Sequence, residues 1–80
     1  MALPTFKLVA PNFHSVTIGG VTVWFSYETP VAFQRGKESV IATVNEFSAS
    51  TGKHINLVAP DKASRRPLSE FNSLLTSLSI

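Results

Sequence analysis

Cysteine is absent from this 80-residue chain, which excludes a disulfide framework and every thiolate metal site. Acidic residues number 5 and histidines 2, so the raw material for acid–base or metal chemistry is thin as well. No apolar run reaches the roughly 18 residues that span a bilayer, and the opening MALPTFKLVAP lacks the charged segment and apolar core of a secretory signal. These absences point to a soluble protein of the cytoplasm with no membrane partner. They also remove the covalent and metal staples on which small domains often depend. A chain this short buries roughly 60% of its unfolded surface, so either the packing is economical or a second copy completes the core as a homodimer.

Charge is also scarce, with a net value of only +2. Its placement is uneven. Lys7, Arg35 and Lys37 balance Glu28, Glu38 and Glu46 over the first fifty residues, whereas Lys53, Lys62, Arg65 and Arg66 stand against Asp61 alone in 51–66. One short segment therefore holds the excess, the footprint a phosphate-binding surface would need.

What the chain does have is alternation. Val16 and Ile18 lead into Gly19-Gly20, and Val21, Val23, Phe25 and Tyr27 lead out on every second residue. That is the pattern of a β-hairpin closed by a primed two-residue turn, in which glycine supplies the positive φ. Thr22, Trp24, Ser26 and Glu28 occupy the opposite face, which puts the single tryptophan on the polar side. Pro4 and Pro11 restrict Thr5 to Ala10 to a short edge strand within an N-terminal arm, residues 1–13. Glu38 to Phe47 is β-branched and alternating, and reads as a further strand, with Val40, Ala42 and Val44 on one face and Ile41 and Thr43 on the other. Ser48 to Gly52 reads as a loop, and Lys53 to Ala59 as a last strand with Ile55 and Leu57 inward. A basic connector, 60–66, follows. Pro67 then opens a helix over 67–78, where Leu68, Phe71, Leu74, Leu75 and Leu78 form one apolar stripe.

The expected fold is therefore α+β, in one domain spanning 1–80: an antiparallel sheet of four to five strands within 14–59, with one C-terminal helix packed on one face. The expected homes of chemistry are few. His14 and His54, with Glu28 or Asp61, fall short of a zinc ligand set, and no H-E-x-x-H spacing or G-x-S-x-G elbow occurs. Both histidines read as surface or strand-end residues. Thr51-Gly52-Lys53 lacks the first glycine of a phosphate loop and is read as a turn. No catalytic, metal or cofactor site is expected. The candidate partner-binding residues are Trp24, Arg35, Lys37, Lys53, His54, Lys62, Arg65 and Arg66.

Two segments carry a resemblance. The run from Val23 to Phe33, containing Phe25-Ser26-Tyr27-Glu28-Thr29-Pro30-Val31-Ala32-Phe33, is followed by Thr51-Gly52-Lys53-His54-Ile55-Asn56. Together they resemble an uncharacterised family of small proteins encoded by bacteriophages and prophages, over about residues 16–78. The family pattern F-S-Y-x-T-x-V-A-F, then T-G-K-H-x-N, then a polar segment and a short helix, implies a phage origin and an accessory role in the cytoplasm of the infected bacterial host. It brings no catalytic residue with it. On the residues, Tyr27, Phe33 and Ile55 are expected to share the core, with His54 and Asn56 pointing outward.

The leading expectation for function is a small non-enzymatic interaction module that docks on a phage or host protein, through the sheet face around Trp24 or by adding a strand at an exposed edge. The alternative is a nucleic-acid-binding accessory protein using the basic 51–66 segment, with Trp24 or Tyr27 as a stacking platform.

Overall fold

The alternation from Phe13 to Ser26 becomes a regular ladder in the computed structural model, which describes residues 4–44 and 49–78. Strands β2 (Phe13–Ile18) and β3 (Val21–Ser26) pair antiparallel in unbroken register, from Phe13↔Ser26 to Ile18↔Val21. Gly19 and Gly20 have φ of +58° and +80°, the pair of positive values that a type I′ turn requires. β1 (Thr5–Ala10) pairs with β2 across the Pro11-Asn12 turn, and β4 (Thr29–Arg35) pairs with β3 across Tyr27-Glu28. β5 (Ile41–Thr43) then pairs with β4.

Beyond β5 the chain leaves the sheet and returns. Helix α1 (Ala49–Val58) and a single 3-10 turn (Lys62–Ser64) carry it to β6 (Arg65–Arg66), which lies parallel to β5. Parallel neighbours cannot be joined by a hairpin and need a crossover, usually a helix. The chain ends in α2 (Leu68–Thr76). The result is an α+β fold with a six-stranded mixed sheet, in the order β1-β2-β3-β4-β5-β6, and two helices.

Several sequence expectations are corrected here. Lys53 to Val58 is helical, so the antiparallel block does not run through 14–59, and the C-terminal helix is one of two. Thr51, His54, Ile55 and Val58 form the inward face of α1, with Thr51, His54 and Ile55 buried. This is an i, i+3, i+4, i+7 stripe, hidden because two of its members are polar. Ile55 and Leu57 imitate strand alternation instead, yet Leu57 is exposed. Gly52 lies within this helix rather than in a turn. The segment 60–66 is more than a connector, because it includes β6 at the sheet edge. The arm 1–13 includes β1, in the edge position expected of Thr5 to Ala10. The strand expected over Glu38 to Phe47 is confined to Ile41–Thr43 as far as the description extends, and 45–48 lie outside the described residues.

Both faces of the sheet are covered, each by one helix. Phe13, Val31, Ala32 and Ala42 pack with Ile55 and Ala59 on the α1 face, joined by half-buried Trp24, Val40 and Val58. Val23 and Phe33 pack with Phe71 and Leu78 on the α2 face, joined by Val21, Phe25, Ile41, Leu74 and Leu75. Neighbours in the chain, such as Val23 and Trp24 or Ile41 and Ala42, thus serve opposite cores, as the two-residue period of a strand dictates. A register shift between Trp24 and Phe25 leaves Val31 as an extra residue, since Trp24 opposes Ala32 while Phe25 opposes Pro30. This bulge turns both Val31 and Ala32 into the α1 core.

Phe71 is fully buried against Phe33, with ring centroids 5.7 Å apart. Phe71→Ala should lower unfolding free energy by about 3–5 kcal/mol, measured by urea denaturation; a loss below about 1 kcal/mol would mark α2 as peripheral. Gly20→Val places a β-branched residue at φ +80° and should lower the melting temperature by several degrees, at roughly 4–8 °C per kcal/mol.

Candidate functional site

Ser26 ends β3 facing α1, because the alternation that sends Val23 and Phe25 to the α2 face sends Trp24 and Ser26 to the other. Its Oγ lies 2.7 Å from His54 Nδ1 and 2.9 Å from Thr51 Oγ1. Ser26 is only 1% exposed, and Thr51 and His54 are buried as well. The hydroxyl can donate to one neighbour and accept from the other, so a polar cluster in the core is satisfied internally. The His54 ring stacks on Phe13, with centroids 4.7 Å apart and planes 4° from parallel, and the Tyr27 ring lies 6.0 Å from it, tilted by 48°. A serine beside an imidazole is raw material for nucleophilic catalysis, but burial denies a substrate carbonyl access to this Oγ. What the contact does is fix α1 to the sheet.

The two segments that carried the resemblance therefore meet in space. Ser26 and Tyr27 of the first touch His54 of the second, and Asn56 of the second accepts a hydrogen bond at its Oδ1 from the Arg65 guanidinium. The expected orientations change accordingly. His54 points inward rather than outward, and Tyr27 is exposed rather than in the core, while Phe33 and Ile55 are buried but in separate cores.

The candidate binding residues do not assemble into one basic face. Arg65 Nη2 and Nε donate to Ala59 O at 3.2 and 3.4 Å, which places a cation at the C-terminal end of α1 where the helix dipole favours it. Arg66 Nη1 donates to Ala63 O at 2.8 Å and to Arg65 O at 3.2 Å. Both arginines are half-buried, and their guanidinium groups are engaged with backbone carbonyls. Lys53 and Lys62 are exposed, Lys53 on α1 and Lys62 in the 3-10 turn. Arg35 and Lys37 flank Gly36 beyond β4, at the opposite end of the strands from Ser26. Trp24 is packed into the α1 core, so it does not offer a free aromatic face.

The open surfaces among the described residues include the outer strand and a cleft between two loops. The outer strand β1 leaves Phe6 72% and Leu8 64% exposed, opposite Val16 and His14 of β2. Phe6 and Leu8 are on the α2 side of the sheet, as their partners Val16 and His14 oppose Val23 and Phe25 in turn. The helix covers only the far half of that face. A cleft of about 520 Å³ lies where the Pro11-Asn12 and Tyr27-Glu28 loops come together, lined by Asn12, His14, Tyr27, Glu28 and Thr29. The loops are stitched by a Tyr27 N–H donating to Asn12 O at 2.7 Å. Sequence reasoning noted His14 and Glu28 only as scarce ionisable groups, since nothing linear shows that two loops separated by a hairpin lie side by side. Among the described residues no group of three or more His, Asp or Glu is placed to hold a metal ion, and no helix is long and apolar enough to cross a membrane.

Residues 4–73 match the family of unknown function DUF8033, and the chain belongs to that family. The match begins at Pro4, immediately before β1, so β1 is part of the family's extent. No curated protein and no solved structure matches the chain.

Ser26→Ala removes the bond made by a buried ring nitrogen, and the unfolding free energy should fall by about 1–3 kcal/mol. Hydrogen exchange should locate the loss in α1 and leave α2 protected until global unfolding; equal loss of protection in both helices would show that Ser26 does not tether α1 in particular.

Proposed function

We propose that this protein is a small, non-enzymatic interaction module that binds a protein partner through the open edge of β1. The observation that carries the reading is the exposure of Phe6 and Leu8 on an outermost six-residue strand. An edge strand offers a row of unpaired N–H and C=O groups, and an added strand gains affinity from those bonds and specificity from alternate side chains. Lys7 lies between the two apolar residues on the other face, opposite Ser15. Self-pairing centred on Lys7 would bring two like charges into opposition, which is destabilising. A foreign strand with apolar residues facing Phe6 and Leu8 and an acidic residue facing Lys7 is the better match.

The resemblance of the Phe25–Phe33 and Thr51–Asn56 segments to phage-encoded proteins supports placing this binding in an infected bacterial cell, with a phage or host protein as the partner. The nucleic-acid alternative is weakened by the engagement of Arg65 and Arg66 with backbone carbonyls, because only Lys53 and Lys62 of that segment keep uncommitted charges.

Replacing Phe6 by a photo-crosslinking phenylalanine analogue in the native bacterial cell should give one discrete protein adduct, with the same analogue at Lys37 giving none. Adducts at both positions, or at neither, would refute docking on β1. Saturable DNA or RNA binding with a log–log salt slope of about −3 to −4 would favour the basic segment instead.

A further inference from the structure

The cleft between the two stitched loops has chemistry that the docking of β1 does not use and that the core uses only through the contact of the Tyr27 ring with His54. The side chains of Asn12, His14, Tyr27, Glu28 and Thr29 line it, and none of them forms a hydrogen bond or ion pair with another described side chain. The comparable groove beside β6 differs: its Arg66 donates to Ala63 O and its Asp61 accepts from Ala63 N.

Tyr27 is the unexpected member. It is the first of two residues in the β3–β4 loop, with φ +57°, and Glu28 after it has no positive φ. That sign pattern belongs to a type II′ turn, whose first position normally takes glycine. A tyrosine held there is strained and persists only if the surroundings over-determine it or function requires it. Tyr27 is 51% exposed, with its ring tilted against His54 at 6.0 Å, so burial alone does not account for its presence. Asn12, directly across the cleft, also has a positive φ, +61°, but asparagine after proline is the ordinary choice for a type II turn.

We propose that this cleft is a subsite for the guanidinium group of an arginine side chain on the protein partner. The Tyr27 ring gives an exposed π face, and a planar guanidinium stacks on such a face. The Glu28 carboxylate adjoins it, where the fork of N–H donors finds a charged acceptor. Asn12 and Thr29 add neutral acceptor oxygens at the rim. Glu28 brings the only full carboxylate charge to the cleft; Lys7, one residue from the Leu8 that opposes His14, is the nearest cation in the sheet and stands on its other face. Arg35 and Lys37 lie at the other end of the β3–β4 hairpin, about 20 Å away for a six-residue strand at about 3.3 Å per residue. That distance exceeds a Debye length of about 8 Å at physiological ionic strength.

The subsite deepens the docking reading, on which its choice of a protein partner rests. His14 lies at one side of the cleft and opposes Leu8 of β1 in register. A strand laid along β1 therefore runs toward the cleft, and an arginine beyond its apolar residues is in position to enter.

The test uses the whole chain and a small probe, so that it does not depend on β1. Amide signals of the 15N-labelled protein are followed while N-acetyl-L-arginine methylamide is added, and again with the neutral citrulline derivative of the same shape. Saturable shifts confined to residues 12–14 and 27–29 are expected, with citrulline at least about fivefold weaker, the equivalent of about 1 kcal/mol. Glu28→Gln and Tyr27→Leu should each weaken the arginine probe by at least that factor, and Lys37→Gln should leave it unchanged. Tyr27→Gly should abolish the shifts without lowering the melting temperature, separating a ring kept for binding from one kept for stability. Equal binding of citrulline, or unmoved signals at these residues, would overturn the subsite. If the subsite fails while the Phe6 cross-link forms, β1 docking stands without it; if arginine binds while no cross-link forms, the cleft stands and the docking reading falls.

Discussion

The hydrogen bonds from Ser26 to His54 and Thr51 hold together what the chain would otherwise leave loosely joined. α1 has little to recommend it as an independent helix: Gly52, Thr51, Ile55 and Val58 all rank below alanine in helix propensity. Ten residues are too few for a stable isolated helix in water. Its order depends on the sheet, through Ile55 and Ala59 in the core and through the Ser26 cluster at its centre. The buried polar groups also specify position. An apolar contact tolerates sliding, whereas Nδ1 at 2.7 Å from a single hydroxyl fixes both the rotation of the helix and its place along β3.

From that anchor the remaining topology follows. With α1 fixed on one face, the chain can return beside β5 only as a parallel strand, and β6 is that short return. Arg65 secures it by binding the C-terminal turn of α1 and the carbonyl of Ala59. The chain leaves β6 toward the other face, where the apolar stripe of α2 covers Val23, Phe33 and Ile41. A nine-residue helix cannot span six strands, so the β1–β2 side of that face stays open. The exposed Phe6 and Leu8 are thus a consequence of where the helix budget of an 80-residue chain is spent.

The distribution of charge acquires meaning from the same geometry. The sequence presents 51–66 as a basic segment, yet its two arginines are structural cations, one at a helix end and one along the edge strand. The free charges are dispersed: Arg35 and Lys37 at one end of the strands, Glu28 at the other, Lys53 and Lys62 on the α1 side of the chain path. That division supports the proposed docking on another protein, where contacts of mixed sign are usual, over tracking of a phosphate backbone.

The β2–β3 hairpin and the edge position of β1 were legible in the residues, because alternation and turn chemistry are local, whereas the Tyr27-Glu28 turn into β4 was hidden within what reads as one alternating strand. Gly19-Gly20 and the two-residue periods of β2 and β3 determine their own pairing, Pro4 and Pro11 confine β1 to a short edge strand, and the leucine stripe determines α2. What the residues alone did not reveal was decided by partners distant in the chain. Thr51 and His54 read as polar until Ser26, more than twenty residues earlier, makes them inward-facing, and only then does the helical period of α1 become visible. Arg65 and Arg66 read as solvated charges until β5 and Ala59 are placed beside them. The cleft of Asn12, His14, Tyr27, Glu28 and Thr29 exists only because two loops end on the same side of the sheet. Sequence by itself determined where the chain turns and which short segments alternate; tertiary structure decided which polar groups are buried, because satisfying a buried hydrogen-bonding group requires a partner that local sequence does not contain.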